Sequence, residues 1–272
     1  MDARSGSTDT MDRFRLTDRV AVITGAGKGI GAAIALAFAD AGADVAITAR
    51  TASDLDEVAD GVRARGRRAL VYPGDVNDLS LVADLVERTA ADLGGIDIVV
   101  SNAGGSMSYK VLDTRVEHLE ESFHFNVSVA FELSRLAVPH LLARGGGSIL
   151  TIASVAGRKA VRGTLVHGTT KAALAQLTRH LAADLAPRIR VNAILPGAIE
   201  TAALARLLDT MDPQVRTTML ERTPMRRNGT AEDIALAAVY LASPAASFVT
   251  GKLLEVDGAA ADELIPKDMP DL

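Results

Sequence analysis

Three side chains in one short stretch of the sequence have types and a spacing that suit acid–base chemistry. Ser154 carries a hydroxyl, His167 an imidazole and Lys171 an ammonium, and the last two lie about one helical turn apart. A hydroxyl can donate a hydrogen bond to a substrate oxygen, and histidine is the side chain most often used to exchange a proton near neutral pH. Because a neighbouring lysine cation disfavours imidazolium, we expect His167 to be neutral.

A glycine-rich segment earlier in the chain predicts a dinucleotide site. The segment Thr24–Gly31 (TGAGKGIG) follows the strand-like run Arg19–Thr24 and opens an alanine-rich helix pattern. Gly25 permits a tight turn, Gly29 lets the backbone approach a pyrophosphate, and Gly31 allows the helix to pack closely on the strand. The free N–H groups at the start of this helix would bind the phosphates.

The charges beside the glycine loop predict a preference for NADP(H) over NAD(H). An acidic residue at the end of the second strand would bind a ribose hydroxyl and repel a 2′-phosphate. This chain instead has Ala49 and Arg50 at that point, and Lys28 lies inside the loop. Two cations without an acid favour the 2′-phosphate. The alternative is that both cations are solvated surface charges.

Along the chain, apolar segments typical of strands alternate with segments that have the periodicity of helices. Such alternation predicts an α/β fold with a doubly wound parallel sheet, Rossmann-like and built as a single domain. We expect a flexible leader over residues 1–15, the folded domain over 16–258 and a tail over 259–272. Within the domain we expect one long helix from about Thr114 to Ala143. The irregular segment at about 198–227 would be either an apolar lid over the substrate or a helix packed on the body.

Composition excludes several classes of function. The net charge is −5 and the chain has no long basic run, so we expect no nucleic-acid partner. Cysteine is absent and the five histidines are scattered, so we expect neither disulfides nor a metal site. No apolar run reaches the roughly 18 residues that span a bilayer. We therefore expect a cytoplasmic protein with no membrane partner.

With these motifs in this order, the sequence resembles the short-chain dehydrogenase/reductase family from about Leu16 to Gly258. Besides the glycine loop, the matching motifs are an adenine-contacting Asp-Val pair, a SNAG stretch, a helix asparagine, the catalytic serine and lysine, and a nicotinamide-contacting PGAIET turn. The resemblance implies cofactor contacts from residues of these motifs: Gly25, Gly29, Ile30, Gly31, Asp75, Val76, Asn102, Ala103, Gly104, Lys171, Pro196, Gly197, Ile199 and Thr201.

The resemblance also implies a catalytic set, Asn126, Ser154, His167 and Lys171, in which His167 stands where the family has a tyrosine. In the family the tyrosine exchanges a proton with the substrate oxygen, the serine polarises that oxygen, the lysine holds the ribose and the asparagine anchors a water chain. An imidazole nitrogen lies roughly 2 Å nearer the backbone than a phenol oxygen, so it would need a bridging water or a more deeply seated substrate.

Three functions therefore stay open at the level of sequence. The first is an NADP(H)-dependent oxidoreductase that interconverts a carbonyl and an alcohol, with His167 as a modified acid–base residue. The second is a reductase of conjugated acyl thioesters that resembles the 2,4-dienoyl-CoA reductase branch, whose members also lack the tyrosine. The third is a nucleotide-binding protein without catalytic activity.

The sequence indicates the substrate and the assembly only in outline. Three cations between the serine and the histidine, Arg158, Lys159 and Arg162, would attract a phosphorylated carrier such as CoA or simply form a solvated loop. The apolar residues of the 198–227 segment favour an apolar small molecule or an acyl thioester. The family resemblance implies a homotetramer or homodimer.

Overall fold

The chain folds around one parallel β-sheet. A computed structural model describes residues 9–160, 162–209 and 212–260 of the chain. Within these ranges the sheet has seven strands in the order β3-β2-β1-β4-β5-β6-β7, and all neighbouring strands are parallel. The strands are β1 (Val20–Thr24), β2 (Asp44–Thr48), β3 (Ala69–Val71), β4 (Ile98–Ser101), β5 (Gly147–Ile152), β6 (Ile189–Pro196) and β7 (Leu253–Val256).

Helices connect the strands and cover both faces of the sheet. In the described part of the chain the α-helices are α1 (Gly29–Asp40), α2 (Ala52–Ala64), α3 (Leu79–Leu93), α4 (Val116–Phe123), α5 (Val129–Ala143), α6 (Leu165–Leu185), α7 (Ala202–Leu208), α8 (Pro213–Arg222) and α9 (Ala231–Ala242). Because each face is covered, every residue of the central strands β1, β2 and β4 is buried.

The core consists of two apolar layers, one on each side of the sheet. Phe38 of α1 and Ile234 of α9 belong to the layer on one face, whereas Leu85 of α3 and Leu133 of α5 belong to the layer on the other. This arrangement confirms the predicted single-domain, doubly wound α/β fold.

One helix differs from its prediction. The expected helix from about Thr114 to Ala143 is present as one continuous helical run, but α4 ends at Phe123, the helix is π-helical over His124–Ser128, and α5 begins at Val129. The sequence at this point contains neither proline nor glycine, so it carries no local signal for an interruption.

The ends of the chain fall partly outside the described residues, which exclude 1–8 of the predicted leader and 261–272 of the predicted tail. Residues Thr10–Phe14 form a 3-10 helix, and the Phe14 ring lies 6.2 Å from the ring of Tyr240 on α9. No helix within the described ranges is both long and apolar enough to cross a membrane.

The segment at 198–227 is largely helical. It contains α7 and α8, and Leu208, Val215 and Met219 form a small apolar cluster that is separate from the two core layers. Ala198 and Leu204 pack against this cluster. The segment therefore has its own apolar contacts, which are compatible both with an apolar lid over the substrate and with a helix packed on the body.

Candidate active site

The predicted site residues follow the carboxyl ends of adjacent central strands. Strand β1 ends at Thr24, β4 at Ser101, β5 at Ile152 and β6 at Pro196. Since parallel strands all end at the same edge of the sheet, the glycine loop, the SNAG stretch, Ser154 and the PGAIET turn lie along one edge. Ligands of open α/β sheets bind in this position.

Backbone geometry explains the glycines of the loop. Gly25 has φ of +64° and Gly29 has φ of +58°, which are left-handed conformations that favour glycine. A side chain on Gly31 would collide with the carbonyl oxygen of Gly25 and with the amide nitrogen of Asn102. The loop and the start of α1 can therefore approach β4 closely only with this sequence.

The SNAG stretch holds the end of β4 against the glycine loop. The side-chain amide of Asn102 donates to the carbonyl oxygens of Thr24 and Gly25, each at 3.0 Å. The Thr24 hydroxyl oxygen accepts the backbone N–H groups of Asn102 and Ala103, each at 3.1 Å. These bonds fix the position of the loop without any ligand.

A cleft of about 280 Å³ lies over this part of the sheet edge. Among the residues predicted to bind the cofactor, the cleft is lined by Gly25, Lys28, Arg50, Asp75, Val76, Asn102, Ala103 and Gly104. Sequence reasoning missed the remaining lining residues, Gly27, Ala49, Thr51, Asp54, Gly74 and Phe125. Two of these, Gly27 and Ala49, adjoin predicted positions, but Asp54 and Phe125 enter the cleft through helices packed beside it.

The charges of the cleft differ from the prediction in one respect. Lys28 forms an ion pair with Asp54, with 3.0 Å between Nζ and Oδ2, so an acid is present after all. The prediction rested on the absence of an acid at the end of β2, whereas this carboxylate comes from the first turn of α2. Arg50 is exposed and forms no ion pair with any described residue. Of the two predicted cations, Arg50 alone is therefore uncompensated.

Further residues predicted to bind the cofactor lie at the end of β6, on the turn after it or at the start of α1. A Cβ on Gly29 would lie 3.3 Å from Cγ2 of Thr201, so the turn after β6 contacts the glycine loop. Gly197 packs against Asp257, and Ile199 is buried and forms an isolated β-bridge with Gly229. Pro196 is the last residue of β6, and Ile30 packs against the core from α1.

The hydrogen bonds of Asn126 account for the π-helical turn within the long helix. Its carboxamide is buried, accepts the backbone N–H of Gly105 at 2.9 Å and donates to the Gly105 carbonyl at 2.9 Å. The same amide nitrogen donates to the carbonyl of Ser122 at 2.8 Å. The Asn126 side chain thus satisfies the backbone N–H and C=O of Gly105, which follows β4, and the π-helical turn positions Asn126 for these bonds.

Lys171 approaches Asn126 across a glycine. A Cβ on Gly104 would lie 2.7 Å from Oδ1 of Asn126 and 2.9 Å from Nζ of Lys171. The lysine is buried, and its Nζ donates to the carbonyl oxygen of Ile152 at 2.8 Å. Burial lowers the pKa of Lys171 to about 8. An ammonium has three N–H groups, so two of them are available to a ligand.

His167 lies on the first turns of α6, one turn before Lys171, and is half-buried. Burial, and next the positive charge of Lys171, lower the pKa of the imidazole to about 4. Both effects disfavour the imidazolium ion. The expectation of a neutral ring at physiological pH is therefore confirmed.

Ser154 follows β5 and presents a hydroxyl with a defined orientation. Its Oγ accepts the backbone N–H of Ala156 at 3.2 Å, so its own hydrogen is free for another acceptor. Of the cations that follow it, Arg158 pairs with Glu255 at 2.7 Å and Lys159 donates to the carbonyl of Ala260 at 2.9 Å. Contacts within the chain thus engage both of these cations.

A comparison with protein families gives one matching model over nearly the whole fold. The model is described as Enoyl-(Acyl carrier protein) reductase and matches residues 25–259. An uncharacterized oxidoreductase of Mycobacterium tuberculosis (strain CDC 1551 / Oshkosh) is 51% identical over 263 residues, which cover 96% of this chain and 99% of the relative.

Two further comparisons agree with each other. The 7alpha-hydroxysteroid dehydrogenase of Escherichia coli (strain K12) is 39% identical over 254 residues, covering 93% of this chain and 98% of the relative. A solved structure of 7alpha-hydroxysteroid dehydrogenase, complexed with NADH and 7-oxo glycochenodeoxycholic acid, has a TM-score of 0.89 to this chain at 38% identity. It covers 94% of this chain and 100% of its own.

Proposed function

The chain belongs to the short-chain dehydrogenase/reductase family and is an NAD(P)-dependent oxidoreductase, and on this basis we propose that it interconverts a secondary alcohol and a ketone with His167 in place of the family's tyrosine. The observation that carries the proposal is the arrangement of Ser154, His167, Lys171 and Asn126 at the sheet edge beside the glycine cleft. A dehydrogenase of a ring hydroxyl among the relatives supports the same class of substrate.

The residues of the cleft fit a nicotinamide dinucleotide. Gly25 and Gly29 have left-handed backbone conformations, and Lys28, the N-cap residue of α1, makes no side-chain hydrogen bond to the helix. The first N–H groups of α1 are thus available to phosphate oxygens. Lys171 has two N–H groups for the ribose hydroxyls. When bound, the nicotinamide supplies or accepts the hydride.

Ser154 and His167 act on the substrate oxygen. The Ser154 hydroxyl, oriented by Ala156, donates a hydrogen bond to that oxygen and polarises the carbonyl. During oxidation neutral His167 accepts the alcohol proton through a ring nitrogen and then releases it to solvent; reduction runs these steps in reverse, so the imidazolium ion gives that proton to the substrate oxygen as the hydride arrives. Between turnovers the ring is neutral, and neutral imidazole can polarise the oxygen as a hydrogen-bond donor without being a strong acid.

The preferred cofactor in this proposal is NADP(H). Arg50 is exposed, lines the cleft and has no acidic partner among the residues that the structure describes, so its guanidinium suits a 2′-phosphate. Lys28 adds a second positive charge that is shared with Asp54.

The proposal extends to the lid and the assembly. We expect the α7–α8 segment to cover an apolar substrate, since its Leu208, Val215 and Met219 cluster is separate from the core. We also expect a homotetramer or homodimer. Phe123 on α4 and Phe131 on α5 are 46% and 43% exposed, and exposed aromatic side chains on neighbouring helices are typical of subunit interfaces.

The decisive experiment compares wild type with His167→Ala, His167→Tyr and a matched control, His180→Ala, which removes an exposed histidine from the same helix. Each protein is assayed with NADPH and NADH against ring ketones, β-ketoacyl thioesters and dienoyl thioesters. We expect wild type to reduce ketones, and His167→Ala to lose about 10²- to 10⁴-fold in kcat, the usual cost of one positioned proton donor. His180→Ala should retain wild-type turnover.

Two outcomes would contradict the proposal. If wild type is inert on every substrate and only His167→Tyr reduces ketones, the protein binds nucleotide without catalysis. Activity of wild type confined to dienoyl thioesters would instead assign it to the reductases of conjugated thioesters.

A further inference from the structure

We infer that Asp54 is a specificity-determining residue that reduces the preference for NADP(H) over NAD(H), so that wild type binds NAD(H) as well. The inference rests on the proposed function, because it concerns the same cofactor cleft. Its basis is a carboxylate that no motif predicts at this point, that lines the same cleft as Arg50 and Lys28 and that forms an ion pair with Lys28.

The geometry places the Asp54 carboxylate in the wall of the cleft. A Cβ added to Gly27 would lie 3.1 Å from Cβ of Asp54 and 3.2 Å from Cβ of Ala49, so the glycine loop contacts both α2 and the residue after β2. The Asp54 side chain is 21% exposed, whereas the side chain of its partner Lys28 is 69% exposed. The carboxylate is therefore the more buried member of the pair, and the lysine is the more exposed one.

The position of Asp54 in the first turn of α2 would also suit a helix-capping role, but Asp54 does not cap this helix. Acidic side chains in the first turn of a helix commonly accept its free N–H groups. Within the described residues, however, the Asp54 carboxylate accepts no hydrogen bond from the backbone of α2, and its polar contact is the ion pair with Lys28. Its charge is thus directed to the cleft.

Electrostatics give the sign of the effect on each cofactor. A 2′-phosphate between Arg50 and Lys28 carries about two negative charges, which Asp54 repels, and it competes with Asp54 for Lys28. A ribose 2′-hydroxyl is neutral and can donate a hydrogen bond to a carboxylate. Asp54 therefore weakens the binding of NADPH and leaves the binding of NADH unchanged or stronger.

The test is a fluorescence titration of NADPH and NADH against wild type, Asp54→Asn and Asp56→Asn. Asp56 is an exposed acid two residues further along α2 that lies outside the cleft walls, so it controls for the loss of one negative charge from the same helix. We expect Asp54→Asn to lower the Kd of NADPH by about 5-fold, the size expected for two charges several ångströms away near water. The Kd of NADH should change by less than about 2-fold or rise.

A second pair of variants tests the coupling to Lys28. Lys28→Met leaves Asp54 without its counter-ion, and we expect weaker NADPH binding than in wild type. Adding Asp54→Asn to Lys28→Met should gain less NADPH affinity than the same change gains in wild type, because it relieves the repulsion but has no lysine to release to the phosphate. Melting temperatures without cofactor identify any variant that has lost its fold.

The outcomes separate this inference from the proposed function. If wild type binds both cofactors and the ratio of their Kd values is the same in Asp54→Asn, Asp56→Asn and wild type, Asp54 has no role in specificity and only this inference is overturned. If wild type binds neither cofactor, the proposed function is overturned and this inference with it.

Discussion

At His167, two features of its surroundings act in the same direction on the imidazole. Burial removes water from around the ring and the Lys171 ammonium repels a positive charge, and together they bring its pKa to about 4. Burial alone brings the pKa of Lys171 to about 8. Between these values the ring is neutral and the lysine is charged. The histidine can then exchange hydrogen bonds with a substrate oxygen while the lysine keeps the charge that suits a ribose ligand.

We predict that kcat/KM for alcohol oxidation is level between about pH 4 and about pH 8 and falls on both sides. Below the lower value His167 is protonated and cannot accept the alcohol proton, and above the upper value Lys171 loses its positive charge. The measurement is the rate profile over pH, with circular dichroism at each pH to exclude unfolding. A descending limb at the ordinary histidine pKa near 6.5 would mean that the ring is solvated rather than buried.

At the scale of elements, the π-helical turn is the feature that brings the catalytic helix and the β4 loop together. Ser122 Oγ accepts from the Asn126 amide at 3.2 Å and lies 3.3 Å from the hydroxyl of Thr170. Thr170 in turn donates to the backbone carbonyls of Val166 and His167. A continuous buried chain of hydrogen bonds therefore connects the turn that bears Asn126 to the helix that bears His167.

We predict that Asn126→Ala lowers the free energy of unfolding by about 3 kcal/mol, because it leaves a backbone N–H and a C=O of Gly105 without partners. Urea denaturation provides the measurement. The matched control is Ser134→Ala on α5, which removes a buried hydroxyl bonded only to the carbonyl of Ala130 in its own helix and should cost about 1 kcal/mol. Equal losses in the two variants would show that Asn126 does not hold the β4 loop.

The sequence predicts those elements whose cause is local. Apolar runs such as Val20–Thr24 indicate buried parallel strands, and the glycines at 25 and 29 take the left-handed conformations that the loop pattern requires. The π-helical turn could not be predicted in this way, because its partner Gly105 lies on another segment. The approach of Asp54 to Lys28 likewise depends on how α2 packs against the loop, and no spacing rule expresses that contact.

At the scale of the whole molecule, the two edges of the sheet carry charge for different purposes. On the amino edge Asp97 is 2% exposed and accepts hydrogen bonds from Arg19 at 2.8 Å, from Arg144 at 3.2 Å and from the backbone N–H of Val20 at 3.0 Å. These contacts join β1, β4 and the end of α5. On the carboxyl edge Arg50 forms no ion pair within the described part of the chain. Charge is thus used for stability at one edge and left free for a ligand at the other.

We predict that the protein sediments as a dimer or tetramer and that Phe131→Glu shifts it toward smaller species. Phe131 is 43% exposed on α5 and Phe123 is 46% exposed on α4, and a buried unpaired carboxylate at position 131 would oppose association there. Ala64→Glu, on the exposed end of α2, adds the same charge away from these helices and should leave the assembly intact. A monomeric wild type would contradict the prediction. Since Ser154, His167 and Lys171 all come from one chain, we expect the dissociated variant to keep its cofactor affinity, so a loss of binding would mean that a subunit contact supports the cleft.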